Sequence, residues 1–174
     1  MIDENSQPSF EALFRQGTEH LHQNNAWQAV EFLEQAHQLR PDHLDAAINL
    51  GGAYILSGRF KPAVKVLEMA VEIDPSNAMT WTNLGAAYLG NPVLARSEEQ
   101  DRAIGAFKKV LELEPGAPNA AYNIGHIYRD QQRWAEAAHW FRKAIKADPY
   151  DKDARSLYKK MQAMQESGSS DETP

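Results

Sequence analysis

Apolar residues along this chain fall at helical spacing and stop at regular punctuation. Between Pro118 and Pro149, Ala121, Ile124, Gly125 and Tyr128 stand at i, i+3, i+4 and i+7, and Trp134, Ala137, Phe141 and Ala144 mark a second stripe. Asp130 to Arg133 between them is polar, and Pro149 follows the second stripe where a helix must end. The segment therefore reads as two amphipathic helices joined in a hairpin. Gly125, Ala137 and Ala144 are small because two closely crossing helices leave no room for side chains at their contact. Tyr128, Trp134 and Phe141 fill the wedge beside it.

The same pattern occurs four times. The closing prolines, Pro41, Pro75, Pro115 and Pro149, are 34, 40 and 34 residues apart, and the crossing glycines, Gly17, Gly51, Gly85 and Gly125, are 34, 34 and 40 apart. Two independent markers thus share one period, with a single insertion. That insertion lies within the third hairpin, because 14 residues separate Tyr88 from Ala103 where 8 separate Tyr54 from Ala63 and Tyr128 from Ala137. The spacing predicts helices over 10–20, 26–38, 44–57, 60–72, 78–89, 98–112, 118–131, 134–146 and 152–165.

Trp81-x2-Leu84-Gly85-x2-Tyr88, followed by Ala103, Phe107 and Pro115, resembles the signature of the tetratricopeptide repeat family over about residues 10 to 149. The resemblance implies an all-α, right-handed α-solenoid: a superhelix of four helical hairpins with a C-terminal capping helix. The expected organisation is a tail over 1–9 and a single domain over 10–166. Its repeats run over about 10–43, 44–77, 78–117 and 118–151, with the cap at 152–165 and an unfolded tail at 167–174. Asn24 and Asn25 are expected to make the first turn, because Asn tolerates the left-handed conformation, and Gly58 marks the second. Gly90, Asn91 and Pro92 stop the fifth helix, and Ser97-Glu98-Glu99-Gln100 has the form of a capping box for the sixth. Gln100 stands where an aromatic plug is expected, and Val93 or Leu94 are candidates to fill that place. The last helix carries Ala154, Leu157, Tyr158, Met161 and Met164 on one stripe. Lys159 occupies the position of the small crossing residue, so this helix closes the array and does not begin a fifth repeat.

Composition narrows the chemistry. The 174 residues contain no cysteine, which excludes disulfides and thiolate metal sites, and the net charge of −6 argues against nonspecific nucleic-acid binding, which needs a basic face. MIDENSQPSF lacks the basic and apolar regions of a signal peptide, and no window approaches the ~18 apolar residues of a membrane span. A cytoplasmic protein is expected. Gly51-Gly52 lies within a helix pattern and follows no strand, so it is no phosphate cradle. The six histidines include His20 and His22, two apart and therefore on different faces, and no pair has metal spacing with a supporting carboxylate. No catalytic, cofactor or metal residue is assigned, and the chain is expected not to be an enzyme.

The inner wall remains. In this family the first helix of each hairpin lines a concave face. Two residues before each crossing glycine stand Arg15, Asn49, Asn83 and Asn123. Three asparagines in register can bond successive peptide groups of an extended chain, since each amide both donates and accepts. The row resembles the asparagine ladder of peptide-binding members, and the competing reading is that Asn is simply frequent there in consensus repeats. Ile48, Gly52, Ile55, Met79, Thr82, Ala86, Leu89, Tyr122, His126 and Arg129 complete the expected groove. Most are apolar or small, as an open binding surface requires. The carboxylate clamp of chaperone-tail binders is not reproduced: Phe14, Thr18, Met79 and Asn83 occupy its places, and only Asn49 agrees. The expected function is an adaptor holding an extended or helical segment of a protein partner. The alternative is a homo-oligomer assembled through Leu157, Tyr158, Met161 and Met164.

Overall fold

Four helix starts are fixed by the residue just ahead of them. Ser9, His43, Asn77 and Asp151 accept hydrogen bonds at 2.9–3.3 Å from the backbone N–H groups of Ala12, Ala46, Thr80 and Ala154, satisfying donors that have no partner within the helix. A fifth helix begins with Pro118 at a position where the missing N–H costs nothing. The computed structural model describes residues 8–91 and 95–170, with side chains to Ser167. Among the described residues the chain is helical: α1 (Phe10–His22), α2 (Ala26–Leu39), α3 (Leu44–Leu56), α4 (Phe60–Ile73), α5 (Ala78–Leu89), α6 (Ser97–Leu113), α7 (Pro118–Asp130), α8 (Trp134–Ala147) and α9 (Lys152–Ser170).

Packing divides the chain into two compact units, Met1–Gly90 and Asn91–Pro174, and the division falls at the insertion in the third repeat. In the first unit α1 packs on α2, α2 on α3, α3 on α4 and α4 on α5, while α3 touches both α1 and α5. In the second, α6, α7, α8 and α9 pack in succession. Three hairpin turns share one geometry. Asn24, Gly58 and Gln132 have φ of 60°, 73° and 58°, and the next residue's N–H reaches back to the carbonyl of His20, Tyr54 or Tyr128 at 2.7–2.9 Å. This is the left-handed helix ending that satisfies the last free carbonyls.

The backbone approaches closely at three of the four expected glycines. A Cβ built on Gly17 would lie 2.5 Å from Leu33 Cγ, one on Gly51 2.5 Å from Leu67 Cγ, and one on Gly125 2.8 Å from Phe141 Cε1. Leu33, Leu67 and Phe141 are wholly buried there. In the second unit α9 lays Ala154, Leu157, Tyr158 and Met161 against α7 and α8, as a closing helix should.

Three expectations are corrected. Ser9, assigned to the tail, is the cap of α1. Helix α9 continues to Ser170, past the expected end and into the segment expected to be unfolded. Helix α6 starts at Ser97, and its cap is the extended residue Arg96, whose N–H donates to Glu99 Oε2 at 2.8 Å. The box is therefore set one residue earlier than the Ser97 reading. Gln100, at the place of the aromatic plug, accepts from Gln131 Nε2 at 2.9 Å, so a polar pair stands where Phe60 and Trp134 stand in the second and fourth repeats. Val93 and Leu94, residues 1–7 and residues 171–174 lie outside the described residues.

Candidate interaction surface

The helices expected to carry the wall of the first unit, α1, α3 and α5, touch one another in succession, α1 with α3 and α3 with α5. The asparagine row is not uniform. Asn49 Nδ2 donates to Thr18 Oγ1 of α1 at 3.0 Å, so one of its two N–H groups is engaged within the fold and the amide is held in place. The residue that stands to Asn83 as Thr18 stands to Asn49, 31 positions earlier, is Gly52. Gly52 offers no acceptor, and a Cβ built on it would meet nothing within 4 Å. Among the described residues no hydrogen bond engages the half-buried Asn83 side chain, and the same is true of Asn123 on α7.

The other nominated positions separate into exposed and occupied ones. Met79 is 63% exposed, and Gly52, Ile55, Ala86 and Leu89 are half-buried along the same wall. Ile48 is a correction: only 5% of it is exposed, so it belongs to the core. The Thr82 hydroxyl donates to Ala78 O at 2.9 Å within α5. Leu56, 59% exposed at the end of α3, was not nominated, although an apolar residue off the packing stripe is a legible signal.

In the second unit α7 carries Tyr122, Asn123, His126 and Arg129. The His126 ring lies 4.5 Å from that of Tyr122 and 5.4 Å, edge-on, from that of Phe141. Its Nε2 is buried without a partner among the described residues. Burial, assisted by the Arg129 cation and opposed by Asp130, holds the imidazole below its ordinary pKa. Burial and then Asp153 and Asp151 push the Tyr122 phenol up. Arg129, nominated for the groove, pairs with Asp130 at 2.6 Å. Two clefts in this unit, of about 500 and about 350 Å³, lie between α6, α7 and α8 and between α7, α8 and α9, and only Arg129 of the nominated residues lines either one.

The structure also holds a device that repeat spacing alone did not reveal. The Tyr54 hydroxyl donates to Glu34 Oε1 at 2.6 Å, and Arg59 pairs with the same carboxylate at 3.1 Å while lying 4.7 Å over the Tyr54 ring. Burial and then the Glu34 hydrogen bond push the Tyr54 phenol up to about 12. Tyr88 donates to Glu68 at 2.8 Å across the next junction. In both cases the acid lies 20 residues before the tyrosine, a spacing that could have been found by aligning the repeats. These bonds tie the second helix of one hairpin to the first helix of the next.

Among the described residues no group of three or more His, Asp and Glu could hold a metal ion, and no helix is long and apolar enough to cross a membrane. Stacked helical hairpins with crossing glycines define an α-solenoid repeat protein. Two tetratricopeptide repeat family models match the chain, one over residues 20–86 and one over 92–152. The chain belongs to the tetratricopeptide repeat family. No curated protein matches it in sequence. Solved structures do. MamA of MSR-1 is 27% identical, with 82% of this chain and 78% of that one covered and a TM-score of 0.71. MamA from Desulfovibrio magneticus RS-1 is 24% identical, with 83% and 78% covered and a TM-score of 0.74. YrrB, described as a TPR protein with an unusual peptide-binding site, is 22% identical, with 87% and 75% covered and a TM-score of 0.75. The last two likenesses are of fold alone.

Proposed function

We propose that the protein is a cytoplasmic, non-catalytic adaptor whose repeat domain, residues 10–166, holds an extended or helical segment of a protein partner against the walls of its first helices. Repeat arrays bury their cores between neighbours and leave such walls free of packing duty. The observation that carries the reading is the pairing of an unengaged Asn83 amide with the open backbone at Gly52, beside the exposed Met79. A mid-helix glycine with empty space above it costs helix stability and has no packing reason here. Close approach of a ligand gives it one. The description of YrrB as peptide-binding is in keeping with this use of the fold. No cofactor is needed for it.

The reading ranks the two asparagines. Because Thr18 already takes one of the two Asn49 N–H groups while Asn83 has both open, Asn83→Ala should weaken partner binding about tenfold, corresponding to loss of a well-placed hydrogen bond at ~1 kcal/mol or more. Asn49→Ala should weaken it less. Partners recovered from the native cell lysate and re-tested by fluorescence anisotropy decide this. Equal loss from both variants would return the row to repeat consensus. Retention by both, with loss on deleting residues 90–96, would move recognition to the inserted loop. Self-assembly through Leu157, Tyr158 and Met161 is disfavoured, because that stripe already lies against α8 and Met161 is 1% exposed.

A further inference from the structure

We infer that copies of this chain associate head to tail, the outer face of α2 in one copy taking the unpaired cations of α8 and α9 in the next. Charge is segregated along the sequence. Residues 1–90 hold five Lys and Arg against eleven Asp and Glu, while residues 91–174 hold thirteen against thirteen, so the whole net charge of −6 belongs to the first unit. Within the first unit, Arg40 and Arg59 are already paired with Glu11 and Glu34. Glu19, Glu31 and Glu72 are exposed and ion-paired to nothing among the described residues.

The second unit carries the complement. Arg142, Lys143 and Lys146 on α8, and Arg155 and Lys159 on α9, are all exposed and none is ion-paired among the described residues, although Lys143 lies 4.3 Å over the Trp140 ring and Arg155 donates to Pro149 O. The nearby acids Asp148 and Asp151 each commit an oxygen to a backbone N–H, those of Tyr150 and Ala154. An anchor for these cations exists on α2. Trp27 is 67% exposed, one turn before Glu31. It is not the plug of its repeat, since the position equivalent to Phe60 and Trp134 is Ala26, and Lys61 and Ala135 stand where Trp27 does. An open indole face beside a carboxylate recognises a Lys or Arg by both ring and charge, and central aromatic residues dominate such contacts. A patch complementary to a different patch on the same chain makes a heterologous contact, which propagates. This surface is separate from the wall of the proposed function, so either can fail without the other.

The test is sedimentation velocity on the full chain at about 0.05 M and about 0.5 M salt, which shrinks the screening length severalfold. The weight-average mass is expected to rise with protein concentration above that of the 19.6 kDa chain at low salt and to return to it at high salt. A head variant, Trp27→Ala with Glu31→Gln, and a tail variant, Lys143→Gln with Lys159→Gln, should each associate at least tenfold more weakly than wild type. Mixed, the two variants retain one intact face each and should form a one-to-one dimer and nothing larger, which also shows both to be folded. A wild-type chain that stays monomeric at low salt overturns the proposal. So does association that survives high salt, or a mixture that restores nothing.

Discussion

The two units are built from the same hairpin yet are held together differently. In the first, Gly17 and Gly51 face leucines, and each junction is tied by a tyrosine–glutamate hydrogen bond. In the second, Gly125 faces Phe141, and a cluster of Tyr122, His126 and Phe141 fills the space beside it. The first unit is strongly acidic and the second is neutral. The repeat therefore specifies a close helix crossing but leaves open what fills the opposite side and what links neighbours. Filling and linkage are where function and local stability can diverge between repeats of one array.

The crossing itself offers the largest effect. Gly51→Leu drives a side chain into Leu67, already 2.5 Å from where a Cβ would sit, and should destabilise by about 3 kcal/mol, at the upper end of overpacking costs. Gly52→Ala, one residue on, meets nothing within 4 Å and should stabilise by about 0.5–1 kcal/mol, the helix-propensity difference. Urea denaturation of the two variants decides both signs, and like effects from the two neighbours would break the distinction between a packed glycine and an open one.

The junction bonds come next. Tyr54→Phe strips Glu34 of a 2.6 Å partner and should cost roughly 1–2 kcal/mol, since hydrogen bonds to charged groups exceed neutral ones. Tyr128→Phe in the second unit removes a hydroxyl with no hydrogen bond among the described residues and should cost a few tenths. Thermal melts showing equal losses would contradict the difference in linkage. The turns provide a smaller contrast of opposite sign. Gln132 holds φ of 58° where Gly58 holds 73°, so Gln132→Gly should gain about 1 kcal/mol or slightly less, and Gly58→Ala should lose a similar amount.

The histidines give the smallest effect and a direction with pH. Burial lowers the folded-state pKa of His126 in the second unit and of His37 in the first. A base depressed in the folded state is protonated first in the unfolded chain, so its contribution is present above the unfolded value of about 6.5 and is lost as pH falls from there toward the folded value. Stability should decline over that interval, and His126→Phe should flatten part of the decline. An NMR titration placing the His126 midpoint at or above that of a free histidine would refute the assignment.

How much of the fold and of the wall was legible is clearest at single residues. Gly17, Gly51 and Gly125 were readable as crossing points because a missing side chain recurring at one helical-hairpin period marks where two backbones approach closely. Asn24, Asn25 and Gly58 were readable as turn residues, of which Asn24 and Gly58 take the left-handed conformation and Asn25, with φ of −92°, does not, whereas Gln132 was not readable because a glutamine carries no such preference. Ile48 looked like a wall residue by its offset from Gly51 and is core. A wall position one step off the stripe is covered or exposed according to how its neighbours pack.

Sequence by itself determined the period, the helices, the crossings and the closing role of α9. Each of these rests on signals within a single repeat: apolar spacing of 3.6, a residue lacking a side chain, a proline or a cap. Only the tertiary structure decided that Asn49 gives one N–H to Thr18 while Asn83 keeps both of its own, that Tyr54 and Tyr88 reach back to acids 20 residues earlier, and that Arg129 is already paired with Asp130. Those outcomes depend on which side chains meet, by distance and angle, in the folded chain. A polar side chain's availability is fixed by its neighbours in space, and no spacing along the chain states who they are.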